Sequence, residues 1–369
     1  MSTTLPHAQT TAPEPRFTGL VEAARALQPR TVALRRQVHR HPEQGLDLPA
    51  TQAAIQHALS GLPLEVTTGG SSSSVTAVLR GGRPGPTVLL RADMDALPLQ
   101  EETGLAYSSE IDGTMHACGH DTHVAMLASA ARLLSSRREA LTGQVVFMFQ
   151  PGEEGQHGAR HMLDEGVLDA AGTPVEKAFA LHITSTLQSG VVVCRQGPTM
   201  ASADTFHITV KGRGGHGGMP HDAIDPVPPA AAMVGALQTM VARRVSVHHP
   251  AVVTIGHITA GTTTNIIPET ALVEGTIRAL SEDTRTLVHR ELPRVAEHVA
   301  AAHGCSAEVR IEPGYPVTVN DDVVGPHVND ITAAALGPRW ASYMDDPLMG
   351  AEDFSDVLQR VRVAIAFLG

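Results

Sequence analysis

Apolar positions follow two different regimes along the chain, and the change falls near residue 198. In the first regime, LVEAARALQPRTVALRRQVHRHPE (20–43) and HVAMLASAARLLSSRR (123–138) carry apolar residues at helical spacing. Both are predicted helices, the second with Asp121 or Thr122 available as its cap. VTAVLR (75–80), TVLLRAD (87–93), GQVVFMFQ (143–150) and KAFALHI (177–183) are short apolar runs that read as buried strands. GGRPGP (81–86) reads as the turn between the first two, GGSSSS (69–74) as a short flexible loop, and GARHMLDEGVL (158–168) as a helix ending at Gly166. Alternation of this kind predicts the α/β class, with a mostly parallel sheet and helices on both faces.

In the second regime the strands alternate apolar with polar. DTFHITVKG (204–212) is a strand, and DPVPPAAAMVGALQTMVARRV (225–245) is a helix whose prolines are confined to its first turn. AVVTIGHITAG (251–261) and ETALVEGTIRAL (269–280) are two more strands. A helix over 281–304, capped by Ser281, leads to the strand SAEVRIEP (306–313). The order βαββαβ is the ferredoxin-like arrangement. Residues 200–312 are therefore expected to form a small inserted domain. Residues 1–199 and 313–369 would make the catalytic domain, with residues 1–18 as a disordered tail. After residue 313, DDVVGPHVNDITAAAL and GAEDFSDVLQRV read as helices and AIAFLG as a strand of the first domain.

Composition narrows the function. The 369 residues exceed one ordinary core, which agrees with two domains. A net charge of -11 disfavours nucleic acid as a partner, because little would neutralise phosphates. No apolar run reaches the roughly 18 residues of a membrane helix, and the N-terminus lacks the basic-then-apolar pattern of a secretory signal. The three cysteines are odd in number and scattered. A reducing, cytoplasmic setting is the expectation.

The polar clusters converge on one edge of the predicted sheet. Asp93, Asp95, the pair Glu153–Glu154 and His182 all fall at the carboxyl ends of strands, where open α/β sheets hold their ligands. MHACGHDTHVAML (115–127) adds Cys118 and His120 just before a helix. Each cluster has a bland reading: a buried cysteine among exposed histidines, a solvated Glu-Glu turn, a satisfied core histidine. Together they offer thiolate, imidazole and carboxylate to a divalent metal. One glutamate can then bind the ion while its neighbour activates a water, since a metal lowers the pKa of bound water from about 15.7 toward 7. KGRGGHGGMPH (211–221) lacks a Walker Lys-Ser/Thr and a helix directly behind it, so a phosphate-cradling loop is a weak match. The other reading is a loop that brings His216 to a substrate. Asn265 and Arg278 stand at strand ends of the same small domain. Arg278 is either an ordinary surface charge or a bidentate carboxylate holder.

Seven stretches, RRQVHRHPE, RADMDALPL, MHACGHDTHVAML, FQPGEEG, GRGGHGGMPH, AGTTTNIIP and MGAEDFS, resemble the metal-dependent amidohydrolases in order and spacing from about residue 30 to residue 369. That family includes hippurate hydrolases, N-acyl-amino-acid amidohydrolases and plant auxin-conjugate hydrolases. The resemblance implies a catalytic domain with two divalent ions (Zn, Mn, Ni or Co) and a small lid domain that mediates homodimerisation. It implies Cys118, His120, Glu154 and His182 as metal ligands and Glu153 as general base. His216 would polarise the scissile carbonyl, reaching in from the partner subunit, and Asn265 and Arg278 would hold the substrate carboxylate. The implied substrate is an N-acyl amino acid. A dipeptidase or a carbamoyl-amide hydrolase on the same scaffold is an alternative. So is a catalytically silent metal- or ligand-binding protein, against which the Glu153–Glu154 pair argues. Two departures stand out. Gly217-Gly218 follow His216 where the family usually has Ala-Ala or Ala-Ser, which would loosen the loop. The family also continues beyond AFLG with one more ligating histidine and a final helix. Ending at Gly369, this chain is expected to hold at most one ion firmly unless His116 or His123 supplies a ligand.

Overall fold

The computed structural model describes residues 15–369. The expected tail over residues 1–14 lies outside the described residues, whereas residues 15–18 already belong to the first helix, α1 (Pro15–Arg40). Contacts divide the chain into two units. One runs to Gly197 and takes in Val319–Asp346 and Asp353–Gly369, and the other comprises Pro198–Thr318 and Pro347–Glu352.

The first unit is built on an eight-stranded sheet. Its strands in chain order begin with β1 (Glu65–Thr68), β2 (Val75–Arg80), β3 (Arg83–Asp93), β4 (Thr142–Gln150), β5 (Val175–Ile183) and β6 (Val192–Cys194). Strands Ala341–Tyr343 and Arg362–Leu368 complete it. The spatial order is β1-β2-β4-β3-β5, then 362–368, β6 and 341–343. The four central strands, β4, β3, β5 and 362–368, are mutually parallel, while β1 and β2 run antiparallel on one flank. Alternation along each strand sorts side chains to two cores. Val145, Phe147 and Phe149 meet α1, α2 (Pro49–Leu59) and α3 (His120–Ser135) through Val38, Ile55, Val124 and Leu127. Val146 and Met148 face the other way, against Met162 and Leu163 of α4 (Gly158–Asp164) and against Phe354.

Local expectations needed correction at four points. GGRPGP is not a turn between neighbours: β3 already begins at Arg83, and β4 lies between β2 and β3. Neither Asp121 nor Thr122 caps α3. The helix starts behind Gly119, and the Asp121 carboxylate serves Arg35 and His39 instead. GGSSSS is pinned, because the Glu165 carboxylate accepts the N–H groups of Gly70 and Ser71, each at 3.0 Å. GAEDFSDVLQRV forms only the short helix Ser355–Leu358.

The second unit, taken by itself, has an antiparallel sheet in the order 251–260, 270–279, 204–211, 306–313. Helices Val227–Arg244 and Glu282–Ala302 cover one face through Met233, Leu237, Val288 and Leu292, packed on Phe206, Ile208, Val273 and Ile277. Ser281 caps the second helix, its hydroxyl accepting the Thr284 N–H at 3.2 Å.

One buried clasp holds α1, α3 and the 97–119 segment together. His39 Nδ1 lies 2.8 Å from Asp121 and Nε2 lies 3.3 Å from Glu101, so both ring nitrogens face carboxylates. The hydrogen bond to Asp121 raises the His39 pKa, with burial and Arg35 opposing. Burial opposes ionisation of Asp121 and Glu101, but hydrogen bonds, including those from His39, leave both below their ordinary values. The histidine's contribution to stability is complete below its unfolded pKa of about 6.5 and is lost as pH rises through its folded value. The carboxylates' contribution is lost as pH falls below their ordinary range. We predict that His39→Gln lowers the melting temperature most near pH 6, by an equivalent of about 1–3 kcal/mol, and that the difference shrinks as pH rises through the raised His39 pKa. Melting curves across pH 5–9 with a constant difference would refute the clasp.

Candidate metal centre

The site is assembled where the central strands end. Register places Asp93 at the end of β3 opposite Gln150 at the end of β4, and Arg91 opposite Ala180 on β5. His182, two residues beyond Ala180, therefore reaches the same edge. The chain leaves β3 for β4 on one side and reaches β5 on the other. Such a reversal opens a crevice at the carboxyl ends of parallel strands. The turn before α3 completes it. Gly119 has φ 89°, and a Cβ there would come within 2.3 Å of Ile183 Cδ1, so glycine lets the Cys118–His120 turn settle on the end of β5.

Two overlapping groups of ligand atoms result. Those of Cys118, His120 and Glu154 lie within 4.8 Å of one another, as do those of Asp93, His120, His123 and His182. His182 touches the first group at one point, its Nε2 lying 3.5 Å from Cys118 Sγ. Its Nδ1–H donates to the Ile183 carbonyl at 2.6 Å, which turns the Nε2 lone pair toward the cysteine. The four residues expected as ligands thus fall in two groups that share His120. His123 is committed elsewhere. Its Nε2 accepts the Ile183 N–H at 2.8 Å, so its proton sits on Nδ1 and is donated to Asp93. His116 belongs to neither group; burial pushes its pKa down to about 4.

The donor set fits a divalent cation of borderline softness, combining thiol, imidazole and carboxylate. Both nitrogens of the fully buried His120 ring lack a hydrogen-bond partner, an unusual state that a ligated ion relieves. The nearest carboxylate oxygens are Asp95 Oδ1 at 3.4 Å and Asp93 Oδ2 at 3.7 Å. Burial raises the pKa of Cys118 and of Glu154. At His120 burial works the other way, but the Asp93 charge prevails and raises it. At Asp93 burial favours the neutral form, yet Arg91, His120 and His123 hold it well below the usual carboxylate range. A cation entering the set displaces these protons.

Residues that the sequence reading left without a role turn out to position the rest. Asp95 accepts the backbone N–H groups of Glu153 and Glu154 at 3.1 and 3.0 Å, so one carboxylate fixes the GEEG turn and also faces His120. Arg91, 5% exposed, contacts Asp93 Oδ2 at 2.5 Å, Gln150 at 2.9 Å and Asp353 at 3.2 Å. Asp353 in turn accepts the Ala159 N–H at the start of α4. The available signal was an Arg-x-Asp-x-Asp run closing an apolar strand, since charges at such a position need buried partners.

His216, Asn265 and Arg278 belong to the second unit. His216 pairs with Ile266 in a two-stranded ribbon, and the Asn265 carbonyl accepts the Gly217 N–H at 2.8 Å, so these two are neighbours. Asn265 and Arg278 do not share an end of the sheet. Thr270 pairs with Lys211 beside the ribbon, and Arg278 lies eight residues along the same strand. At about 3.3 Å per residue that is about 26 Å. Among the described residues Arg278 has no ion pair, and it stands half-buried on the face away from the helices.

Comparison with known proteins agrees with this geometry. Residues 89–369 match the model of peptidase family M20/M25/M40. The chain is 39% identical to thermostable carboxypeptidase 1 of Saccharolobus solfataricus over 92% of its length and 85% of that protein. It is 38% identical to the N-acetylcysteine deacetylase of Bacillus subtilis, over 94% and 90% of the two chains. The crystal structure of the Bacillus subtilis YXEP protein, described as a dinuclear metal binding peptidase from the M20 family, superposes with a TM-score of 0.81 at 35% identity, covering 94% of this chain and 89% of that one. With its ligand set gathered at the strand ends and its sequence matched over most of its length, this chain belongs to peptidase family M20/M25/M40 and is a hydrolase.

Proposed function

We propose that the protein hydrolyses the amide bond of N-acyl amino acids, releasing a carboxylic acid and an amino acid. The observation that carries this is the unequal use of two adjacent glutamates: Glu154 shares a ligand group with Cys118 and His120, whereas buried Glu153 is grouped apart from them, its carboxylate accepting the Asp353 N–H at 3.4 Å. A pure binding site has no need of a second carboxylate beside its ligand. Relatives named N-acetylcysteine deacetylase and hippurate hydrolase, the latter from Campylobacter jejuni at 35% identity, support the substrate class.

Cys118, His120, Glu154 and His182 would hold divalent ions, with Asp93 behind the histidines. Zn, Mn, Ni and Co suit these donors. When bound, such ions supply Lewis acidity toward a water and the amide carbonyl. Glu153 takes the proton from the attacking water and passes it to the leaving nitrogen. His216 donates a hydrogen bond to the carbonyl oxygen as it becomes negative. Arg278 grips the substrate carboxylate through two parallel bonds, and Asn265 assists beside His216. Arg278 stands about 26 Å along its strand from Thr270, the end beside which the His216 ribbon lies, which supports a homodimer in which the histidine serves the neighbouring subunit. A cytoplasmic setting is consistent with the scattered cysteines. Among the described residues, no helix is long and apolar enough to cross a membrane.

The direct test is to load the protein with each metal and assay N-acetyl, N-benzoyl and N-indoleacetyl amino acids against dipeptides and N-carbamoyl amino acids. The highest kcat/KM is expected on an N-acyl amino acid, and a clear preference for dipeptides would overturn the reading. Glu153→Gln should keep its metal and lose about a hundredfold or more in turnover, whereas Glu154→Gln should lose metal. Equal metal loss in both would cancel the division of labour. Asp95→Asn, which puts an NH2 donor opposite one of the two N–H donors, should cost roughly 10–100-fold in metal affinity or activity. Unchanged values would show the GEEG turn to be held by other contacts. Mixing His216→Ala chains with Glu153→Gln chains should restore activity in heterodimers, and confirmed heterodimers without recovery would place the histidine in its own subunit's site.

A further inference from the structure

His216 sits at the exposed end of a ribbon, where little else constrains its ring. One contact does: the Gly218 backbone N–H points at His216 Nδ1 with an N···N distance of 3.0 Å. A backbone amide can only donate, so Nδ1 must be the acceptor and cannot carry the ring proton. The neutral ring then has its proton on Nε2, the nitrogen on the far side from the turn. We infer that the His216–Gly217–Gly218 turn is a tautomer lock, in which the Gly218 N–H holds His216 as an Nε2–H hydrogen-bond donor aimed away from its own loop. This rests on the reading above that His216 stabilises the carbonyl oxygen, and it names how the loop readies the histidine for that task. An oxygen gaining negative charge needs a donor in a set direction, and a donor already oriented costs no reorganisation during the reaction.

The two glycines give the turn room, Gly217 most of all. A Cβ on Gly217 would stand 2.9 Å from the Asn265 carbonyl oxygen and 3.1 Å from its carbon, both backbone atoms of the facing strand. Glycine therefore lets the ribbon close, with the Gly217 N–H bonded to that same carbonyl at 2.8 Å. A Cβ on Gly218 would stand 3.2 Å from His216 Nδ1 and 3.3 Å from Cε1, pressing on the ring it orients. The Gly-Gly pair thus tightens the loop rather than loosening it. Asn265 is held in the same arrangement, its side-chain oxygen accepting from the Thr263 hydroxyl at 3.2 Å.

The test uses the metal-loaded protein with uniformly 15N-labelled histidine. Long-range 15N–1H correlation spectra, with the His216 signal assigned by its loss in His216→Ala, should show the proton on Nε2 and a hydrogen-bonded acceptor at Nδ1. Gly218→Pro removes the N–H, and its spectrum should lose the acceptor signature. Its kcat should fall about tenfold with KM and metal content little changed, a smaller effect than the roughly 10²–10³-fold loss from deleting an oxyanion donor. Gly218→Ala keeps the N–H and should keep the Nε2–H signal, which controls for loss of the turn itself. A proton on Nδ1 in the native protein, or a Gly218→Pro variant with native kcat and an intact ribbon, would overturn the lock. Full activity of His216→Ala would instead sink the catalytic reading of His216 and leave the tautomer result standing, so the two failures are distinct.

Discussion

The buried pairing of Arg91 with Asp93 is the constraint on which the metal centre depends. A guanidinium at 5% exposure on a central strand is costly unless every face of it is used. Here it is surrounded by Asp93, Gln150 and Asp353, while Phe354 stacks beneath it with its ring centre 5.4 Å from the guanidinium carbon. The arginine keeps Asp93 ionised where burial alone would neutralise it, with His120 and His123 adding to the effect. An ionised Asp93 is then able to accept from His123 on one oxygen and to stand behind His120 with the other. Through Gln150 and Asp353 the same cation ties the ends of β3 and β4 to the start of α4. Loss of the guanidinium would take away the one buried cation that faces both Asp93 and Asp353 and leave them to their neutral and histidine partners.

A second carboxylate plays a matching part on the other side of the ligand set. Asp95 grips the backbone of the GEEG turn as well as facing His120, so it fixes where Glu153 and Glu154 begin and leaves their carboxyl groups to different surroundings. Adjacent residues on one turn diverge, and that is how neighbouring glutamates come to different environments. His182 and His123 divide the Ile183 peptide between them: the carbonyl takes His182 Nδ1–H, and the N–H feeds His123 Nε2. A single peptide group thereby sets two tautomers in opposite senses, one turning Nε2 toward Cys118 and the other turning Nδ1–H toward Asp93.

The sequence by itself determined a good deal. The periodic runs located nearly every long helix and strand, because apolar spacing is decided by which face meets a core. The convergence of Cys118, His120, Glu154 and His182 was legible too, since strand ends and a helix start are visible in the pattern and ligand residue types are few. Short-range chemistry was less legible. Asp121 stands where a helix cap would stand, yet its carboxylate is claimed by Arg35 and His39 from another helix. GGSSSS has the composition of a free loop, and a glutamate 91–96 positions away ties it down.

Only the tertiary structure decided which polar residues hold the others. Arg91, Asp95 and Asp353 are unremarkable as single letters, and their roles appear when register brings strand ends side by side. His123 looked as ligand-like as His120, three positions earlier on the same helix. What separates them is one backbone N–H, donated from β5 into the His123 ring and absent from the His120 ring. The same holds for Asn265 and Arg278, which the pattern groups at strand ends: Asn265 belongs to the His216 ribbon, and Arg278 stands at the end of strand 270–279 away from Thr270. A sequence records donors and acceptors with their spacing along the chain. Direction, and so which lone pair is already taken, exists only once non-local strands are paired.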